Sequence, residues 1–220
     1  MNNDQTQYRV AVVTGGHAFD VPNFHLLFRR LAGLDAILQS MDDFASSSQE
    51  TRDGYDVIVF YHMLKGSPLD TGQPWYSGKP LSALERLKET GQGLVVLHHA
   101  LLAYEEWPAW RELSGIKPVF RSYQHERLLK VRVLNCEHAI TAGLADSALV
   151  DETYEMDEPD AGNEILLGTD HPQSLKALAW TRRYGRSKVF SLVMGHDNQC
   201  WSSPYFTEVQ RRGILWTVAK

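Results

Sequence analysis

The chain has 220 residues, of which 43% are hydrophobic and 22% charged, and its formal net charge is −5. This balance predicts a single domain over residues 1–220 with a substantial core, and the scattered basic residues argue against nucleic acid as a partner. The polar start of the chain and the lack of a long apolar run predict a cytoplasmic protein that does not bind membranes.

Three strands and one helix are predicted in the first part of the chain, the strands from β-branched residues and the helix from apolar residues at helical spacing. In chain order they cover residues 8–14 (strand), 23–38 (helix), 36–41 (a weaker strand) and 55–61 (strand). His17 comes just past the first strand, after a glycine turn, and His62 follows the third strand directly. Two of these strand ends therefore carry a histidine.

A long connection follows, because residues 65–80 are rich in Gly, Pro and Ser and include two aromatic residues. Such a segment predicts an excursion over the carboxyl edge of the sheet, either as a lid or as a subunit contact. A short helix is expected over residues 82–89, with Ser77 or Ser82 as its N-cap.

The most informative stretch is an apolar run that ends on two histidines. Residues 93–97 follow a glycine turn and have the uninterrupted apolar character of a strand buried on both faces, and His98-His99 come next. Residues 100–104 predict a helix that opens at the strand end and closes at Trp107–Trp110. This abrupt strand-to-helix transition is typical of a nucleophile elbow, here with imidazole in place of Ser or Cys.

The second half of the chain predicts shorter strands, added to the sheet or forming a small flanking layer. The last of them leads into Gly195-His196-Asp197, and a closing helix is expected over residues 204–218. The predicted strands cover residues 128–134, 151–154, 164–167, 174–180 and 188–194.

Histidines thus follow four predicted strands, and these positions meet at one edge of the sheet if the strands are parallel neighbours. That edge is where open α/β sheets bind ligands, and clustered imidazoles can bind a divalent metal or exchange protons near neutral pH. A single histidine at a strand end is more often a hydrogen-bonded turn residue than a ligand, and it is the coincidence across four strand ends that favours function. The candidates are His17, His62, the pair His98-His99, and His196.

Catalytic zinc takes three protein ligands and keeps one open position. His98, His99, Glu152 and His196 are the candidates for catalysis and for binding a divalent metal such as zinc, with Asp151 as a further carboxylate. No HExxH spacing fixes the ligand set. Adjacent His98 and His99 must point in different directions, so only one is expected to face the site.

Aromatic residues offer a second indication, because flat rings beside hydrogen-bonding groups suit a sugar. Tyr154 and Trp201 are expected near the ligand, and His17 and His62 are assigned with them to substrate binding. Exposed aromatics at Trp75-Tyr76 and Trp107–Trp110 would fit a homodimer. The two cysteines, Cys136 and Cys200, are too few for a disulfide framework and are predicted to be reduced.

Five segments, in their order and spacing, resemble the ThuA-like, or trehalose utilisation, proteins. They are residues 13–17, 93–99, 138–144, 151–154 and 185–196. The resemblance implies an α/β fold of the class I glutamine amidotransferase type, a flavodoxin-like three-layer sandwich with a mostly parallel central sheet and extra strands in the C-terminal half. True amidotransferases of this fold carry a cysteine at the elbow, where this chain has His98-His99, so no glutamine amidotransferase activity is expected.

The resemblance implies a role in carbohydrate catabolism. Together with the histidines it predicts an enzyme that acts on a trehalose-like or keto-disaccharide sugar by His/carboxylate acid–base chemistry, with or without a divalent metal. Two alternatives stay open: a non-catalytic sugar-binding or regulatory module that keeps the pocket, and a metal-dependent hydrolase of a non-sugar substrate.

Overall fold

The computed structural model describes residues 7–70 and 78–219, and its centre is one nine-stranded sheet. The strands are β1 (Tyr8–Gly15), β2 (Leu34–Ser40), β3 (Val57–His62), β4 (Gly93–Leu97), β5 (Phe120–Val133), β6 (Ser147–Met156), β7 (Glu164–Gly168), β8 (Ala177–Tyr184) and β9 (Ser187–Leu192). The helices are α1 (Val21–Arg29), α2 (Met41–Ser46), α3 (Gln49–Asp53), α4 (Pro80–Glu85), α5 (Leu87–Thr90), α6 (Pro108–Ser114), α7 (Asn198–Trp201) and α8 (Pro204–Val218).

The strand order is β2-β1-β3-β4-β9-β8-β7-β5-β6. Strands β2, β1, β3, β4 and β9 run parallel, whereas β9, β8, β7, β5 and β6 pair antiparallel. Every residue of β3 and β4 is buried, as expected for central parallel strands covered on both faces. The predicted α/β sheet with extra strands in the C-terminal half is confirmed, and the extra strands extend the sheet itself.

The predicted helix over residues 23–38 is too long. Helix α1 ends at Arg29, and Gly33, with a φ of 84°, turns the chain toward β2. The apolar residues that follow Gly33 belong to this strand. The apolar spacing misled here because Leu31 and Leu34 are buried, yet lie in the turn and the strand.

The predicted helix over residues 82–89 is divided into α4 and α5. Ser82 does not cap it: the helix starts after Lys79, and the backbone and hydroxyl of Ser82 both donate to Asp70. Ser77, Trp75 and Tyr76 lie outside the described residues.

The segment after β4 also differs from its prediction. Residues 98–102 form a 3₁₀ turn, and α6 starts separately at Pro108 because proline fits the first turn of a helix. Trp110 was predicted as an exposed subunit contact, which is wrong: its indole is fully buried and donates to the carbonyl of Ala100 at 2.9 Å. Trp107 is partly buried against the same core.

Strands β5 and β6 form a long antiparallel pair, and the sequence located only parts of them, at residues 128–134 and 151–154. The register shifts between Gln124 and Arg127, where Glu126 adopts a φ of 55°, so β5 contains a bulge. Beyond the bulge, β6 lies against the carboxyl ends of β4 and β9, as hydrogen bonds from its side chains show below. The predicted closing helix matches α8 at both ends.

Within the described residues, no helix combines the length and apolar character needed to cross a bilayer.

Candidate functional site

The carboxyl ends of the parallel strands bring most of the predicted histidines to one edge of the sheet. The ring of His17 stacks on that of His99 with centroids 4.5 Å apart. The His98 ring lies 5.3 Å from that of His196, which follows β9. Parallel pairing of β1, β3, β4 and β9 is what aligns these strand ends.

His98 occupies the elbow, at the point where β4 gives way to the 3₁₀ turn. It is fully buried and its φ is 53°, in the left-handed region that side chains rarely adopt. Its Nδ1 lies 2.7 Å from the carbonyl oxygen of Val193. A carbonyl only accepts, so Nδ1 carries a proton, and Nε2 faces the site.

Three atoms that could bind a metal lie together here. Nε2 of His98 lies 3.1 Å from Oε2 of Glu152 and 3.2 Å from Nδ1 of His196, and the last two atoms are 3.4 Å apart. Zinc–ligand bonds of about 2.0–2.2 Å in a tetrahedral site place neighbouring ligands about 3.4 Å from each other. The donor set and spacing therefore fit a two-histidine, one-carboxylate metal site.

Tyr154 completes this group from the same strand as Glu152. Its hydroxyl lies 2.7 Å from Nε2 of His98, and the two rings stack with centroids 4.9 Å apart. Glu152 and Tyr154 are two positions apart on β6, so strand alternation directs both side chains to one face.

Asp151 points to the backbone that carries His196. Its carboxylate is buried and accepts hydrogen bonds from the backbone N–H of Gly195 at 2.7 Å and of His196 at 3.0 Å. Burial raises the pKa of Asp151, and the nearby His98 and these N–H donors oppose that rise. Asp151, named from sequence as a further carboxylate, is therefore placed to position the His196 loop and does not join the three donor atoms.

Electrostatics favour ionised Glu152 and neutral His196. Burial alone would raise the pKa of Glu152, but its contact with His98, and then with Tyr154 and His196, brings it to about 2. Burial lowers the pKa of His196, and the neighbouring His98 lowers it further. Burial and Glu152 raise the pKa of Tyr154, which stays protonated and can donate. Anionic carboxylate and neutral imidazole are the forms that bind a metal.

A cavity of about 230 Å³ opens beside these groups. Its lining includes the predicted residues His17, Glu152 and Tyr154, and adds others that sequence reasoning missed: Met63, Leu102, Phe120, Tyr123 and His125. The Nδ1 atom of His125 lies 3.2 Å from Oε1 of Glu152. In the sequence, Tyr123 and His125 alternate just before the predicted strand over residues 128–134, which was the available signal. They were missed because neither follows the end of a predicted strand.

Three predicted residues neither line this cavity nor belong to the group formed by His98, Glu152 and His196. His99 is packed between the rings of His17 and Tyr61, so it does not join the cluster of donors as a ligand. Trp201 is buried on Phe24, and its indole donates to the carbonyl of Gly195 at 2.8 Å, which supports the His196 loop. It does not border the cavity as a sugar contact.

His62, the third, is fully buried among aromatic rings. Its ring centroid lies 5.1 Å from those of Tyr104 and Trp110, and neither ring nitrogen has a hydrogen-bond partner among the described residues. Burial lowers the pKa of His62 from 6.5 to about 3. It is thus a neutral core side chain.

We expect this burial to make the fold acid-sensitive. Between pH 6.5 and 3 the unfolded chain binds a proton at His62 that the folded chain does not, so the free energy of unfolding falls by about 1.4 kcal/mol per pH unit as pH drops. Urea unfolding of the wild type and of His62→Phe at pH 7 and pH 5 measures the effect. The variant should lose less stability over this interval, and identical losses would contradict the prediction.

Comparisons with known proteins agree with this architecture. The family model described as ThuA, trehalose utilisation, matches residues 9–217. A search of curated protein sequences gave no significant match.

Three solved structures illustrate the likeness of fold. A putative ThuA-like protein from Bacteroides uniformis shares 18% identity with a TM-score of 0.75, covering 100% of this chain and 95% of that one. A putative ThuA-like protein from Parabacteroides merdae shares 16% identity with a TM-score of 0.74, covering 97% and 90%. PurLQS from Thermotoga maritima shares 13% identity with a TM-score of 0.61, covering 97% and 100%.

Proposed function

Because the chain belongs to the ThuA family, the family of trehalose utilisation, we propose that it is an enzyme of carbohydrate catabolism acting on a trehalose-like or keto-disaccharide sugar. The observation that carries the proposal is the convergence of His98, Glu152 and His196, with donor atoms 3.1–3.4 Å apart, beside a cavity lined by aromatic rings.

A divalent metal such as zinc would be held by Nε2 of His98, Oε2 of Glu152 and Nδ1 of His196. When bound there, it would polarise a carbonyl oxygen or lower the pKa of a bound water. The carbonyl of Val193 fixes the His98 ring through Nδ1, and Asp151 fixes the loop of His196. Both ligands are therefore oriented before anything binds.

The chain's own groups would supply the acid–base chemistry on the sugar. The protonated Tyr154 hydroxyl is placed to donate a hydrogen bond to a carbonyl or hydroxyl oxygen of the sugar. His17 and His125 border the same cavity outside the three donors, so they are the imidazoles placed to take or return a proton. Isomerisation, enolisation and hydrolysis of a keto-sugar all use such transfers.

This proposal excludes hydrolysis of glutamine through a thioester. The elbow holds His98, Cys136 is exposed elsewhere, and Cys200 is buried in α7 with its pKa raised by burial and by Asp151. None of these supplies a thiolate at the end of β4.

The test is turnover of a keto derivative of trehalose by the purified protein, with metal content measured by elemental analysis. We expect product formation that a chelator stops and added zinc restores. Thermal stabilisation by the sugar with no product would favour a sugar-binding module instead. Turnover confined to a panel of esters and amides would favour a hydrolase of non-sugar substrates, and turnover unaffected by chelator would contradict the metal.

A further inference from the structure

A second cleft lies at the edge of the sheet opposite to the candidate site. Its volume is about 720 Å³, within the roughly 300–1,000 Å³ that is typical of pockets for small ligands. Its lining comes from the start of β1, the segments just before β3 and β4, the end of α8, and the hairpin that joins β8 to β9. Since the candidate site occupies the carboxyl ends of the parallel strands, this cleft is a separate place on the molecule.

Three cations line this cleft against a single carboxylate. Arg183, Arg186 and Lys188 all belong to the β8–β9 hairpin, and Asp56 is the one acidic residue that the structure describes in the lining. We name the space beside these three cations the basic cleft. The whole chain has a formal net charge of −5, so this local excess of positive charge runs against the overall balance.

The cations are placed at a cost to the fold. Arg183 and Lys188 lie directly opposite each other on paired strands, where like charges repel and destabilise a sheet. The Nζ atom of Lys188 is occupied by the carbonyls of Ala219, at 2.5 Å, and Trp216, at 3.5 Å. Among the described residues, neither Arg183 nor Arg186 forms an ion pair with a carboxylate. The fold itself therefore does not account for two guanidinium groups at this position.

The backbone that carries these arginines is fixed. The N–H of Arg186 donates to the carbonyl of Lys88 at 3.0 Å, and the hydroxyl of Ser187 donates to that of Leu87 at 3.1 Å. Gly185 has a φ of 56°, and a side chain there would collide with the carbonyl oxygen of Lys88. The turn between β8 and β9 is thus docked on α5, so the fold sets where both guanidinium groups start.

Guanidinium groups suit one class of ligand in particular. Their planar N–H forks match the oxygens of a phosphate group bidentately, and such charge-assisted hydrogen bonds are about twice as strong as neutral ones. A phosphomonoester carries a charge of about −1.5 to −2 at pH 7, which would offset the repulsion between Arg183 and Lys188. A volume of about 720 Å³ also leaves room for the organic group joined to the phosphate, beside Tyr8 and Tyr55.

We propose that the basic cleft binds a small phosphomonoester, whose phosphate is held by Arg183 and Arg186 while Lys188 adds positive charge. The organic part of the ligand would lie toward Tyr8 and Tyr55. Sugar phosphates and nucleoside monophosphates share this chemistry, and the experiment distinguishes them. The inference is independent of the proposed function, because it uses no residue of the candidate site.

Calorimetry measures the binding of glucose 6-phosphate, AMP and inorganic phosphate to the wild type and to Arg183→Gln/Arg186→Gln. We expect at least one of the two esters to bind the wild type, more tightly than inorganic phosphate does. The double variant should bind this ester at least about tenfold more weakly, because each arginine supplies hydrogen bonds to a charged group. The ester that binds more tightly identifies the organic group.

Arg29→Gln/Arg30→Gln is the control that removes the same charge elsewhere. Both arginines are exposed at the end of α1 and lie outside the cleft lining, so this variant should bind the ester like the wild type. Equal loss of affinity in this control would mean that net charge alone attracts the ester, and would overturn the inference. So would an ester affinity that Arg183→Gln/Arg186→Gln leaves unchanged, or a wild type that binds neither ester.

Urea unfolding without any ligand provides the second measurement. Replacing two cations that have no carboxylate partner removes the repulsion with Lys188, so the midpoint of Arg183→Gln/Arg186→Gln should stay the same or rise. A merely structural role predicts the opposite. A lowered midpoint would show that the arginines stabilise the fold through partners of their own, and would overturn the inference.

Discussion

Replacing Glu152 by glutamine is expected to abolish zinc binding and to lower turnover of the keto-disaccharide about 100-fold or more. Glutamine keeps the volume of the side chain but removes the negative charge, and its amide can donate to Nε2 of His98, occupying the lone pair that a metal needs. Charge is decisive because Glu152 is the one carboxylate among the three donor atoms and is 5% exposed.

Thermal unfolding with and without added zinc measures the binding, because a ligand that binds only the folded state stabilises it by an amount that rises with the logarithm of its affinity. The wild type should gain about 2.7 kcal/mol at a zinc concentration 100 times the dissociation constant, and Glu152→Gln should gain nothing at that concentration. Glu155→Gln is the matched control on the same strand, outside the donor cluster. A Glu152→Gln variant stabilised by zinc like the wild type would remove Glu152 from the ligand set.

Replacing Asp151 by alanine is expected to destabilise the fold by about 3 kcal/mol and to disable the site as well. The change leaves the N–H groups of Gly195 and His196 without their acceptor in a buried place, and each buried donor left unsatisfied costs about 1–3 kcal/mol. Since these two N–H groups hold the loop of His196, zinc affinity should fall even where the variant remains folded.

Thr153→Val provides the control for Asp151→Ala. Thr153 is equally buried, two residues further along β6, but its hydroxyl has no hydrogen-bond partner among the described residues. Valine keeps the shape, so the free energy of unfolding should stay the same or rise slightly. Urea denaturation of both variants gives the comparison. An Asp151→Ala variant as stable as Thr153→Val would show that the carboxylate does not anchor the loop.

Much of the parallel half of the fold was predictable from local pattern. The short, β-branched apolar runs of β1, β3 and β4 predict buried strands, because central parallel strands are covered on both faces. The histidines that come after those strands, and the elbow at His98, could be predicted from the ends of the same apolar runs. The boundaries of α1, α4 and α5 could not be predicted from this pattern, because apolar residues are buried both in a helix and in the turn that follows it.

The sequence by itself determined that the carboxyl ends of parallel strands would carry imidazoles to one edge, and that no thiol would stand at the elbow. Only the tertiary structure decided which side chains meet there. Glu152 and Tyr154 reach His98 across more than fifty residues of chain, through a β5–β6 pair bent by bulges. The physical reason is that strand periodicity fixes which way a side chain points relative to its own strand, whereas long-range pairing and bulges fix what it points at.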